Sequence, residues 1–186
     1  MERLTGREKR TTEIRSLVIP VLLWLLGGCA SQVVEPDAAT TSKPAVKALE
    51  SFSVELSPKA KEQLADDVKF DPKALEAKLD RALRNKGLIA TDGDFRLKVI
   101  VSDVRVRGTF NAVMWGFMAG DDHLNGDSVL FRKEIDDDPV YQFKVKTSYA
   151  LGGFAGGQDA MRMDWLYEEF SNKIADKLVA LREAKK

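Results

Sequence analysis

The sequence holds one cysteine, Cys29, and one histidine, His123, among its 186 residues, and each scarcity excludes a class of protein. A single cysteine forms no disulfide within the chain and builds no zinc site of several thiolates. A single histidine leaves no second imidazole for a two-histidine metal site. Neither charge is in excess, since 29 Lys and Arg balance 29 Asp and Glu. Because nucleic-acid binders generally carry a basic excess, we expect no nucleic-acid partner.

Long apolar runs are also scarce. Residues 17–26 carry no charge, but a membrane-spanning helix needs about 20 apolar residues to cross about 30 Å of hydrocarbon. This run follows residues 1–15, which carry five basic side chains, and that order is typical of a secretory signal peptide. Pro20 further disfavours a continuous helix through the run. We therefore predict that residues 1–28 are a signal peptide that is removed.

The apolar run leads directly into Leu26-Gly27-Gly28-Cys29. This tetrapeptide resembles the lipobox of bacterial lipoproteins, in which an aliphatic residue and two small residues precede a cysteine. The resemblance implies cleavage before Cys29 and acylation of its sulfur and its amine, by palmitate among other chains. Three acyl chains would hold the protein far more firmly than the marginal binding that one chain gives. The alternative is an ordinary signal peptide in which Cys29 has no special role.

The residue after the cysteine is Ala30 rather than aspartate. In a Gram-negative cell, the resemblance then implies transfer to the outer membrane, with the protein facing the periplasm. Removal of residues 1–28 would leave 24 basic and 26 acidic side chains, so no basic excess remains to attract an anionic surface. We expect the covalent lipid, and no other cofactor, to provide the attachment.

The segment after the cysteine has the composition of a linker. Residues 30–46 are rich in Ala, Ser, Thr and Pro and show no apolar periodicity, so they bury too little surface to offset their ordering entropy. We predict that residues 29–47 comprise the lipidated cysteine and a flexible tether. Residues 48–184 then have the length of a single periplasmic domain.

Two helices of this domain are predicted from periodicity and end signals. Asp71 and Pro72 are typical of a helix start, and Gly87 followed by Leu88 is typical of a helix end. A second helix of about 25 residues near the C-terminus has one apolar stripe. Its members are Met163, Tyr167, Phe170, Ile174, Leu178 and Leu181. A brief helix from Pro58 through Leu64 is a further expectation.

Alternating apolar residues predict about four strands. The first runs through residues 52–56, the second begins at Phe95 with a bulge near Ser102-Asp103, and residues 129–135 and 140–151 form a hairpin. We predict an α+β fold: a mixed sheet of about four strands with helices packed on one face and a long C-terminal helix. Polar residues are expected on the open face, namely Lys98, Lys144, Lys146, Arg105 and Arg107.

Residues 120–127 form the densest polar cluster. Asp121, His123 and Asn125 have the spacing of calcium ligands, but Arg132 stands where the loop of an EF-hand needs a bidentate glutamate. The pattern excludes an EF-hand, and we expect no metal site. Asp121 and His123 are residue types that form acid–base pairs, which is the basis of a hydrolase alternative. The simpler interpretation is a polar loop that leads into a strand.

Two other segments have candidate roles. Glycines in residues 152–157 precede the last helix, but no Lys-Ser/Thr pair follows as in a phosphate-binding loop, so we expect a connecting loop. An apolar segment carries Trp115, Phe117 and Met118, and with Trp165 these side chains form a candidate interaction surface for a partner or the membrane. The alternative role of this segment is to fill the core.

A family resemblance covers about residues 50–182. Lys86-Gly87-Leu88 after a helix, the turn Gly116-Phe117-Met118-Ala119-Gly120, and a glycine-rich turn into a long helix together resemble a family of uncharacterised bacterial lipoproteins with a domain of unknown function. The sequence departs from that family at the hairpin turn, residues 136–139. The resemblance implies a periplasmic α+β domain and supplies no catalytic residues.

Three functions follow as hypotheses. The first is a non-enzymatic envelope lipoprotein that binds an envelope protein in an accessory or assembly role. The second is a carrier of lipid or another small apolar ligand, which requires an apolar cavity between sheet and helices. The third is a hydrolase that uses Asp121 and His123. Only the third requires catalytic residues.

Overall fold

The computed structural model describes residues 29–35, 43–65, 70–107, 120–133, 138–150 and 159–184, so the predicted signal peptide lies outside the described residues. The elements follow one another along the chain as five strands and three helices. They are β1 (Cys29–Val34), β2 (Leu49–Leu56), α1 (Pro58–Ala65), α2 (Pro72–Asn85), β3 (Phe95–Arg105), β4 (Asp122–Arg132), β5 (Pro139–Tyr149) and α3 (Asp159–Glu183).

The five strands form one mixed sheet in the order β1-β5-β4-β3-β2. The pair β2–β3, whose connection contains α1 and α2, is parallel, and the other three pairs are antiparallel. The predicted α+β class, the single helix-covered face and the long C-terminal helix are confirmed. The number of strands is five rather than about four.

The fifth strand, β1, lies in the segment that was predicted to be a tether. Residues 29–34 pair with β5 in six consecutive positions, from Cys29 opposite Tyr149 to Val34 opposite Lys144. Val33 packs against the hydrophobic core, and Val46 is completely buried, so the folded part begins well before residue 48. The tether prediction is therefore wrong for these residues, because strand pairing and the packing of the partly buried Val33 against the core outweigh the linker-like composition.

The helix α2 begins and ends as its sequence signals predict. The Asp71 side chain accepts a hydrogen bond from the backbone N–H of Lys73 at 2.9 Å, which caps the first turn. Gly87 has a φ of 61°, and the N–H of Leu88 donates to the carbonyl of Leu83 at 3.0 Å. This is the Schellman closure that the Gly-Leu pair predicted.

The core lies between the sheet and the helices. All six members of the predicted stripe on α3 are buried, as are alternate residues of β3, β4 and β5 that face the helices. Gly126 on β4 allows the close approach of α3, because a Cβ atom there would lie 2.8 Å from Cζ of Phe170. Apolar side chains from the sheet and the helices together form this core.

Two predictions about the strands need correction. The cluster at residues 120–127 is not a loop, since β4 begins at Asp122 and continues through it. Among the basic residues assigned to the open face, Lys98 pairs with Glu55 and Lys144 with Asp127, as expected there. Arg107, however, is buried, because Asp122 holds it at the edge of the core. The bulge is confirmed by the register shift between Val101 and Asp103.

Candidate functional site at the anchor end of the sheet

One end of the sheet carries the predicted lipidation site together with several charged residues. Cys29 begins β1 opposite Tyr149, the last residue of β5, and Asp122 begins β4 opposite the same Tyr149. Arg105 ends β3 opposite His123. We call this end, defined by Cys29, Tyr149, Asp122 and Arg105, the anchor end. The first turns of α3 lie here too, because Arg162 contacts Asp122.

A buried ionic cluster joins the elements at the anchor end. The Asp122 carboxylate is fully buried and accepts hydrogen bonds from the backbone N–H of Arg107 at 2.6 Å and from its Nη2 at 3.1 Å. Nη1 of Arg162 lies 3.1 Å from the same carboxylate. The Arg107 guanidinium also donates to the backbone carbonyls of Gly120 and Tyr149. The Arg162 guanidinium donates to the backbone carbonyl of Arg107.

This cluster has a structural consequence. Each of its ions loses several kcal/mol of hydration on burial, and the hydrogen bonds to the carboxylate and the carbonyls offset that loss. Asp122 belongs to β4, Arg107 follows β3, and Arg162 belongs to α3, so one carboxylate ties two strands to a helix. The cluster therefore fixes where α3 starts relative to the anchor end.

A shallow hollow of about 740 Å³ lies beside the first three turns of α3. Met161, which is 67% exposed, and Trp165 form part of its lining together with Asp164 and Glu168. The Trp165 ring is half-buried and packs against the ring of Tyr149, with 5.3 Å between the centroids. Trp165, a predicted member of the interaction surface, is thus held at the anchor end with part of its ring accessible.

Polar contacts attach β1 to α3. The Ser31 hydroxyl donates to the Glu169 carboxylate at 2.5 Å, and the Lys177 ammonium pairs with Glu35 directly after β1. Hydrogen bonds from Lys177 and Lys43 lower the pKa of Glu35 to about 2. The edge strand is therefore held by side chains as well as by its backbone ladder with β5.

The predicted catalytic pair lies on the open face of the sheet. His123 Nε2 is 3.4 Å from the carboxylate of Asp103, and Nδ1 is 3.8 Å from that of Asp121. Burial raises the pKa of Asp103, but hydrogen bonds from Gln63 and Lys59 and the nearby imidazole lower it by more.

This arrangement bears directly on the hydrolase alternative. Ser148 is the cross-strand neighbour of His123 and lines the same small pocket of about 200 Å³. Both imidazole nitrogens, however, face carboxylates, so neither is directed at the Ser148 hydroxyl to accept its proton. The structure brings Asp121 and His123 together, with 3.8 Å between Nδ1 and the carboxylate, but shows no nucleophile for the imidazole to activate in the described residues.

The family described as "Domain of unknown function (DUF4410)" matches residues 33–160, more than half of the chain. The chain belongs to this family. The DUF4410 match begins within β1 and ends in the first turn of α3, and it includes Arg107 and Asp122 of the buried cluster. No curated protein matches the chain.

Solved structures resemble the DUF4410 chain at low identity. A PelC dodecamer from Paraburkholderia phytofirmans is 12% identical, with a TM-score of 0.44, and the match covers 80% of this chain and 97% of that one. A protein from Caulobacter crescentus is 16% identical, with a TM-score of 0.40 and coverages of 74% and 93%. A minor lipoprotein from Acinetobacter baumannii is 13% identical, with a TM-score of 0.35 and coverages of 72% and 94%.

Several predicted site residues of this DUF4410 protein have no described position. Trp115, Phe117 and Met118 lie outside the described residues, as does the glycine-rich segment 152–157, and nothing is described of the Cys29 side chain. Within the described ranges, no group of three or more His, Cys, Asp or Glu side chains is arranged to hold a metal ion. None of the helices in those ranges combines the length and the apolar character that a membrane span requires.

Sequence reasoning missed the buried cluster. Arg107 follows a strand of alternating pattern, which predicts a place on the open face, and Asp122 lies in a polar segment that predicts a loop. The available signal was the position of Arg162 beside Met163, at the start of the apolar stripe of α3. An arginine there needs a carboxylate partner, because charged residues are almost never fully buried unless paired.

Proposed function

We propose that this protein is an outer-membrane lipoprotein, anchored by acyl chains on Cys29 and facing the periplasm, with a non-enzymatic binding or assembly role. The observation that carries the anchoring proposal is that Cys29 is the first residue of β1. Cleavage in front of Cys29 would remove no residue of the sheet or helices described here. The lipobox therefore lies where processing leaves the whole domain intact.

The binding role is supported by the anchor end. Trp165 leaves part of its ring accessible there, and large apolar side chains at a surface commonly mark interaction sites. The connection that carries Trp115, Phe117 and Met118 leaves the described part at Arg107 and returns at Gly120, at the same end. We propose that these side chains and Trp165 contribute to one surface for an envelope protein.

Processing and sorting of Cys29 test the anchoring proposal. Cells that express the protein with labelled palmitate should yield a labelled band, and globomycin should cause an unprocessed precursor to accumulate. The variant Cys29→Ala is the matched control and should take up no label. Ala30→Asp, a change at an exposed position of β1, should move the labelled protein to the inner-membrane fraction. Unchanged processing in the presence of globomycin would refute the anchor.

The binding role needs a separate experiment. A triple variant with Trp115, Phe117 and Met118 changed to alanine should keep the urea midpoint of the parent and lose its crosslinked envelope partner. The matched control is Gln142→Ala, which changes a single side chain at an exposed position of β5 away from the anchor end. A triple variant that unfolds at much lower urea would show instead that the segment fills the core, as the alternative holds.

A further inference from the structure

The proposed anchor at Cys29 is directly connected to the folded domain. A flexible tether over residues 30–46 would have an end-to-end distance of about 23 Å and would leave the domain free to turn. Instead, Cys29 is itself paired with Tyr149, and Ala30 with Ser148. No unpaired residue separates the acylated position from the sheet, so the lipid would act on the sheet itself.

The pairing of β1 is reinforced along its whole length. Val33 packs against the core, Ser31 is hydrogen-bonded to Glu169, and Glu35 is paired with Lys177. These three contacts lie on alternate residues after Cys29 and all reach α3 or the core beneath it. Bilayer attachment at Cys29 therefore fixes the direction of the sheet relative to the membrane as well as the distance between the sheet and the membrane.

The two ends of the sheet are far apart. The strands β4 and β5 have 11 residues each, and at about 3.3 Å per residue the sheet is about 36 Å long. The far end carries the turn at Thr91, which precedes β3. The helix α3 runs the same way, because Arg162 lies at the anchor end, whereas Arg182 donates to the carbonyl of Gly87 beyond α2.

We propose that the anchor end rests on the phospholipid surface, with the first turn of α3 against it and the far end directed away from it. The inference rests on the proposed acylation of Cys29. Met161, the large apolar side chain found exposed in the described residues, lies in this first turn and would meet the boundary between headgroups and acyl chains. Asp164 and Glu168, one and two turns further along α3, keep their charges in water and pair with Lys78.

The lone cysteine makes this orientation measurable. Because acylation consumes the thiol of Cys29, one introduced cysteine is a unique labelling site in the mature lipoprotein. Met161→Cys and Thr91→Cys, both at exposed positions, receive the same fluorophore, and each protein is reconstituted in phosphatidylethanolamine–phosphatidylglycerol vesicles. Phospholipid with a nitroxide on its headgroup should quench the label at residue 161 several-fold more than the label at residue 91.

The controls separate this inference from the anchor itself. Vesicle flotation reports attachment, and protein that fails to float refutes the acylation and with it the orientation. Protein that floats with equal quenching at the two positions overturns the orientation and leaves the anchor standing. A 12-residue Gly/Ser insertion between Cys29 and Ala30, beginning with serine, should keep flotation and abolish the difference in quenching. A difference that survives the insertion would overturn the role assigned to the direct connection.

Discussion

The buried carboxylate of Asp122 offers the sharpest test of how the anchor end is held together. The variant Asp122→Asn keeps the size and shape of the side chain but removes its charge. The guanidinium groups of Arg107 and Arg162, which are at most 2% exposed in their side chains, then lie in the interior without this anion. The amide also has one donor nitrogen where the carboxylate offered an acceptor oxygen.

The expected loss of stability is large. Breaking a buried ion pair by removing one partner costs about 3–5 kcal/mol, since the remaining charge is left uncompensated. A domain is stable by only about 5–15 kcal/mol, so this change removes roughly two fifths of a mid-range total of about 10 kcal/mol. With a urea m-value of about 2 kcal/mol/M, the unfolding midpoint should fall by about 2 M.

A surface pair gives the matched control. Asp127→Asn removes the carboxylate that pairs with Lys144 at 3.4 Å on the open face, where the two side chains are 23% and 41% exposed. Such pairs are worth about 0–1 kcal/mol, so its midpoint should hardly move. Urea unfolding of each variant is followed by circular dichroism. An Asp122→Asn midpoint within the error of the Asp127→Asn midpoint would refute the role given to the cluster.

Two further predictions concern packing and pH. Gly126→Ala should cost about 1–3 kcal/mol of unfolding free energy, because its Cβ meets Phe170 at 2.8 Å and the Ile100 carbonyl at 3.0 Å, and adding Phe170→Leu should recover part of that loss. The pKa of Glu35 is lowered to about 2 in the folded protein, so its pairing with Lys177 stabilises the fold at pH values above the unfolded pKa of about 4.5. This stabilisation is lost as the pH falls through about 2. Glu35→Gln should therefore speed amide exchange in β1 at pH 6 and match the parent near pH 2; equal exchange at pH 6 would contradict the pairing.

The elements that the sequence predicts correctly are those whose cause is local. Asp71, Gly87 and Leu88 set the limits of α2 through hydrogen bonds within a few residues, and these bonds are present in the structure. The stripe on α3 is likewise visible at a spacing of three to four residues. Such signals need no knowledge of the rest of the chain.

The features that the sequence does not predict depend on distant partners. Residues 29–34 belong to a segment rich in Ala, Ser, Thr and Pro and resemble a linker until β5, more than 100 residues later, provides their ladder. Gly126 lies within a polar cluster in the sequence, whereas the ring of Phe170 on α3 explains why no side chain fits there. Arg107 and Asp122 lie apart in the sequence, and the fold brings them together as an ion pair.

With Cys29 acylated as proposed, the orientation of the domain depends on the edge strand β1 that begins at this residue. A pull on the anchor acts first on the pair formed by Cys29 and Tyr149 and would separate β1 from β5 one position at a time. The inner strands β4 and β3 have longer ladders and lie further from the anchor, so they would stay paired while β1 opened. Local opening has its own free energy, lower than that of global unfolding. In the proposed lipoprotein, the contacts of Ser31, Val33 and Glu35 therefore decide whether the domain is held against the bilayer or released on a short linker.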